Sequence, residues 1–154
     1  MTLTIATAAD REFLFEVYAA SRDSEMALVP WSDEQKQAFL RMQFDAQDRH
    51  YRTHYPEARF QVIHHEGQPV GRLYVFEGAD EIRIMDIALL PAWRGAGIGS
   101  ALLRDVLARA GELNRSVTLH VEHNNPARRL YDRLGFRPVS DEGIYVRMQW
   151  DFNR

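Results

Sequence analysis

The sequence predicts a mixed α/β fold, with a central sheet of about seven strands and helices on both faces, in one domain spanning residues 1–154. Three observations carry this prediction. The first third of the chain has helical periodicity, and three strand-like runs joined by two short turns follow it. After a glycine-rich turn the pattern alternates helix, strand, helix and hairpin. A length of 154 residues suits one core, since single domains commonly run ~100–200 residues.

Leu3 and Ile5 suggest a short first strand. Asp10 is placed to cap a helix whose Phe13, Leu14, Val17 and Tyr18 share one face. A second helix starts at a capping box of Ser32 and Gln35 and ends before Pro56. It carries a stripe of Phe39, Met42 and Ala46 beside a more polar one of Leu40, Phe44, Gln47 and Tyr51. Residues 60–63 and 70–76 read as strands around a turn at 66–69, and a turn at 78–80 leads to a third strand over 81–90. Short connections make these three an antiparallel meander, which Pro91 ends. The next helix shows an apolar stripe of Ile98, Leu102, Leu103, Val106 and Ala110. A strand at 117–121, parallel to the one before it, precedes a helix opened by Asn125-Pro126 and closed by Gly135. Residues 136–139 and 144–150 form a last hairpin.

Composition excludes several function classes. With 45% hydrophobic and 27% charged residues the chain is expected to be globular and not disordered. No apolar run approaches the ~18 residues of a membrane span, and the N-terminus has neither a basic start nor an apolar middle. Cytoplasmic residence without a membrane partner is therefore expected. The absence of cysteine removes disulfides, thiolate metal sites and a cysteine nucleophile. A net charge of −3 and no long arginine block argue against a nucleic-acid partner. Homodimerisation stays open.

The most informative segment is Arg94-Gly95-Ala96-Gly97-Ile98-Gly99-Ser100, which joins a strand to a helix. Free backbone N–H groups and the helix dipole at such a junction attract phosphate, and small residues let the ligand approach. A nucleoside-triphosphate loop would need a lysine after its last glycine, and none is present. A dinucleotide fingerprint would need glycine where Ser100 stands, and too little chain follows to complete that fold. The third pattern, the coenzyme A turn Arg/Gln-x-x-Gly-x-Gly/Ala, matches at Arg94, Gly97 and Gly99. A plain tight turn is the bland alternative.

Downstream stands Asn124-Asn-Pro-Ala127-Arg-Arg-Leu130-Tyr131, followed by Gly135-Phe136. Together the two segments, in this order, resemble the signatures of the GNAT superfamily of acetyl-CoA-dependent N-acetyltransferases. The similarity covers roughly residues 58–150 and is weaker over 1–30. It implies a GNAT-like domain whose strand at 84–90 splays to admit the pantetheine arm of acetyl-CoA, with no metal. Backbone groups of Arg94, Gly95, Ala96, Gly97, Ile98, Gly99 and Ser100 would cradle the pyrophosphate. Ile87, Ala88 and Leu89 would line the pantetheine, with Ile87 and Leu89 pairing its amides, and Asn124 would contact the same arm. Tyr131 would serve the departing thiolate by proton donation or hydrogen bonding, and a buried core tyrosine is its alternative. Glu81, or Asp86 nearer the splay, would be the general base. Their odd separation sends them to opposite faces of a regular strand.

The histidine pairs His50/His54, His64/His65 and His120/His123 lack a third ligand and are read as non-metal residues. Acceptor specificity is assigned to the first two helices and their loop, with Glu25, Trp31, Phe44, Gln47, Tyr51 and Tyr55 as a candidate wall. The expected activity is acetyl transfer to a primary amine of a small molecule or peptide by direct attack in a ternary complex. A non-catalytic acetyl-CoA-binding module is the alternative.

Overall fold

In the computed structural model, which describes residues 1–152, the strands lie in the order β1-β2-β3-β4-β5-β7-β6 within one seven-stranded sheet. Two compact units are distinguished, Met1–Leu73 with Ile87–Arg94 and Tyr74–Asp86 with Gly95–Arg154. Among the described residues no helix is long and apolar enough to cross a membrane.

The first unit opens with β1 (Thr2–Ile5), an exposed strand antiparallel to β2 (Arg59–His65). Asp10 is the N-cap residue of α1 (Arg11–Ser21), as expected, but its side chain makes no capping bond. Thr7 heads the turn at Ala8–Asp10, and the Asp10 carboxylate accepts the Thr7 N–H at 2.8 Å. A single helical turn that periodicity did not reveal, α2 (Asp23–Met26), follows α1. The capping box on α3 (Asp33–His54) is present as expected, with Gln35 N–H on Ser32 Oγ at 3.1 Å and Ser32 N–H on Gln35 Oε1 at 2.9 Å.

The two stripes of α3 exchange the roles their composition suggests. Leu40 and Phe44 are buried, whereas Met42 is 61% exposed. Phe44 packs edge-on against Phe15 of α1 and tilted against Tyr18, because aromatic rings prefer offset geometry. Arg41 crosses from α3 to Glu12 and lies 3.7 Å over the Phe15 ring, so its stem and plane cover the aromatic pair.

A two-residue turn with positive φ at Glu66 and Gly67 joins β2 to β3 (Gln68–Glu77), which starts earlier than the residues 70–76 read from the sequence. This strand is buried continuously from Val70 to Val75, with Arg72 at 2% exposure, where the guanidinium donates to Gln47 Oε1 at 2.9 Å and faces the Tyr18 ring. Such a cation persists only when its donors are matched.

In the second unit, β4 (Glu81–Leu89) begins with a parallel ladder to β5 (Ser116–Glu122). α4 (Ile98–Leu113) buries Ile98, Leu102, Leu103, Leu107 and Ala110; Leu107 takes the buried place expected for Val106, which is half-buried. α5 (Arg128–Leu134) ends at Gly135, whose φ of 98° reverses the chain. β7 (Tyr145–Trp150) lies between β5 and β6 (Arg137–Glu142), with a register shift between Pro138 and Ser140.

Candidate active site

The chain from β4 into α4 carries most of the expected site. The β4–β5 ladder holds Glu81, Ile82 and Arg83 against Ser116, Val117 and Thr118, and β4 then runs on to Leu89. Asp86 is the last β4 residue of the second unit; Ile87, Ala88 and Leu89 belong to the first.

Pro91–Trp93 form a short 3-10 turn and Arg94 is extended, after which Gly95 and Gly97 adopt φ of 75° and 84°. Positive φ at both positions turns the chain sharply into α4, which glycine allows without a Cβ penalty. Gly97 is the N-cap of α4 and supplies no side-chain hydrogen bond to it. The first bond at this end is Ala101 N–H to Gly97 O at 3.0 Å, so the preceding N–H groups have no acceptor within the helix. A Cβ built on Gly95, Gly97 or Gly99 meets nothing within 4 Å. Uncapped donors, the positive end of a sixteen-residue helix and open approach are the features a pyrophosphate requires. The turn has the features expected of a pyrophosphate site.

Within the second unit Asp86 bears on Tyr131. The phenol, at 8% exposure on α5, packs edge-on against Phe136 with ring centroids 5.8 Å apart. Its hydroxyl forms no hydrogen bond among the described residues. Burial first, and the Asp86 carboxylate second, push its pKa up to about 12. Glu81 occupies another environment, where its carboxylate accepts from Arg147 Nη2 at 3.2 Å. Five residues of strand separate it from Asp86, a rise of roughly 17 Å.

Asn124 is exposed, with no hydrogen bond among the described residues. Asn125 accepts the Ala127 N–H at 2.9 Å, which places its turn just ahead of α5. Within the first unit, the Leu90 N–H bonds Val70 O on β3. By strand alternation the Leu89 carbonyl points away from β3, and there it accepts Arg94 Nε at 3.0 Å. The Leu89 carbonyl thus carries one hydrogen bond and keeps its second lone pair.

The candidate acceptor wall is only partly assembled. Phe44 is removed from it by burial at 1% exposure, and Gln47 is committed to Arg72. Glu25 pairs with Arg22 at 3.0 Å, while Trp31 stays 41% exposed against Phe39. Tyr51 and Tyr55 are half-buried. Sequence inspection missed Gly71, the signal being a glycine inside a strand. A Cβ there would press into the Ala88 carbonyl oxygen and lie 2.8 Å from Leu89 Cδ2. His120 lies against Glu142 at 3.2 Å and His123 against Asp141 at 3.0 Å. Among the described residues no group of three candidate ligands is placed to hold a metal.

Residues 15–136 match the profile of the acetyltransferase (GNAT) family. The chain belongs to the GNAT acetyltransferase family. This acetyltransferase takes its acetyl group from acetyl-CoA. It is 28% identical over 131 residues, 84% of its length and 76% of the relative's, to a Bacillus subtilis protein provisionally named a ribosomal protein bS18-alanine N-acetyltransferase. Its fold matches that of a PaiA N-acetyltransferase from Thermoplasma acidophilum, solved in complex with coenzyme A, with a TM-score of 0.73 at 18% identity. That match covers 98% of this chain and 99% of the other. The Escherichia coli ribosomal-protein-S18-alanine N-acetyltransferase matches with a TM-score of 0.66 at 18% identity, over 99% of this chain and 94% of the other.

Proposed function

We propose that the chain works as a single-domain cytoplasmic enzyme that acetylates a primary amine, with the N-terminal α-amine of a peptide as the favoured acceptor. The buried Tyr131 phenol beside Asp86, on the unit that also carries the uncapped start of α4, is the observation that carries catalysis over donor binding alone. The similarity to alanine N-acetyltransferases supports the α-amine. Such an amine, with a pKa near 8, is partly neutral at physiological pH and needs only modest deprotonation.

Acetyl-CoA supplies the activated acetyl thioester. The N–H groups of Gly97, Ile98, Gly99 and Ser100 hold its pyrophosphate, with Gly95 and Ala96 providing room. In the first unit the Ile87 and Leu89 backbone groups pair an extended arm beside Ala88, and in the second unit Asn124 is the side chain assigned to that arm. Tyr131, with a pKa of about 12, is a much weaker acid than a thiol near 8.5. The phenol therefore keeps its proton and stabilises a developing thiolate by hydrogen bonding. Asp86 is the favoured acceptor of the amine proton, because it lies beside the Tyr131 phenol. With no cysteine in the chain, the amine attacks directly in a ternary complex.

The test uses three acceptors: a peptide beginning with alanine, a lysine peptide with a blocked N-terminus, and a polyamine. Coenzyme A release and product mass are followed for each. Preference for the alanine peptide supports the proposal. Preference for either other amine overturns the acceptor, and acetyl-CoA binding without any acetylation overturns catalysis.

A further inference from the structure

We infer that Arg94 is a positioning residue whose guanidinium holds the donor-binding turn through hydrogen bonds to two carbonyls, and that its charge is not what the donor phosphates require. The inference rests on the acetyl-CoA reading of that turn. Arg94 Nε donates to Leu89 O at 3.0 Å and Nη2 reaches Ala20 O at 3.5 Å. Leu89 ends β4, and Ala20 lies in the last turn of α1. Ala20, Leu89 and Arg94 all belong to the first unit.

The Leu89 carbonyl points away from β3 and takes its donor from the Arg94 side chain, while the Ala20 carbonyl at the end of α1 is reached by both the Arg22 N–H and Arg94. Arg22 is the C-cap residue of α1, and Arg94 adds a second cation at this helix C-terminus. The effect is to fix the start of the turn from two directions just before Gly95. Donor binding is then preorganised, since the N–H groups that follow need not be ordered by the ligand.

Side-chain geometry separates this role from a phosphate contact. In glutamine the amide nitrogen stands the same number of bonds from the backbone as arginine Nε, but carries no charge. Lysine keeps the charge and places a methylene at that point. Acetyl-CoA affinity is measured by calorimetry at low and moderate salt for the parent chain, Arg94→Gln, Arg94→Lys and Arg94→Ala, with circular dichroism on each. Arg94→Gln keeps a donor for Leu89 O and gives up only the longer bond to Ala20 O, so it is expected to lose less than roughly tenfold with the same salt slope. Arg94→Lys and Arg94→Ala give up the Leu89 bond as well and lose more than roughly tenfold, the scale of one lost hydrogen bond. Rescue by lysine with failure of glutamine, and a shallower salt slope in glutamine, would assign Arg94 to the phosphates and overturn the inference. Equal affinity in all four chains also overturns it. Should Arg94→Ala not fold, the glutamine–lysine comparison still decides. A parent chain that does not bind acetyl-CoA overturns the donor reading itself.

Discussion

The Asp86 carboxylate sits close enough to the Tyr131 phenol to add to burial in raising the phenol's pKa to about 12. An anion beside an uncharged donor keeps that donor protonated. The pair thus holds a neutral hydrogen-bond donor and a carboxylate within one unit, which are two complementary needs of amide formation from a thioester.

Tyr131→Phe is expected to lower kcat by roughly ten- to a thousandfold while leaving acetyl-CoA affinity unchanged, the behaviour of a donor used mainly in the transition state. Parent kcat should show no alkaline loss from this phenol below its pKa of about 12. Stability carries the same signature. The unfolded chain ionises near the ordinary tyrosine pKa of about 10. The folded chain holds the proton to about 12, so this contribution is intact below pH ~10 and is lost as pH rises between the two. Thermal melts of the parent should therefore fall more steeply than those of Tyr131→Phe in that window.

Removing the base should show itself in the pH profile. Asp86→Asn is expected to lower kcat/KM at neutral pH roughly ten- to a thousandfold, with partial recovery at high pH where the amine is already neutral. Glu81→Gln breaks the pair with Arg147 and is expected to change kcat/KM little. Alkaline rescue confined to Glu81→Gln would move the base to Glu81.

Gly97→Asp should weaken acetyl-CoA binding on the order of a hundredfold, because a carboxylate would stand at the uncapped start of α4. Its φ of 84° costs any other residue roughly 1–2 kcal/mol, yet no atom lies within 4 Å of the new Cβ. Circular dichroism should accordingly remain that of a folded chain. Gly99→Ala adds bulk without charge and should cost less.

Gly71→Ala tests the opposite case. The added methyl would meet the Ala88 carbonyl oxygen and Leu89, so β3 and the end of β4 must separate. A stability loss of roughly 1–3 kcal/mol is expected in denaturant titration. Acetyl-CoA affinity should fall with it, since Ala88 and Leu89 are displaced.

The two motifs around Gly97 and Tyr131 were legible without coordinates because their chemistry is local. A helix start needs its small residues in a fixed order, and the i, i+3, i+4 spacing of Ala127, Leu130 and Tyr131 sets one face. The capping box at Ser32, the parallel pairing of β4 with β5 and the closing turn at Gly135 are legible for the same reason. Each depends on residues a few positions apart or on a simple count of connections.

Tertiary structure decided which of several plausible partners each side chain takes. Phe44 looked like a wall residue until Phe15 and Tyr18 enclosed it, and the Met42 stripe is apolar yet faces solvent. Glu81 and Asp86 are both carboxylates on one strand, and only packing assigns one to Arg147 and the other to Tyr131. Arg94 is a motif position of the turn in sequence, and only the fold shows its guanidinium reaching carbonyls 5 and 74 positions away. Local order and periodicity determine the elements and the donor-binding turn. Burial and hydrogen-bond partners are set by long-range contacts, which residue spacing alone does not encode.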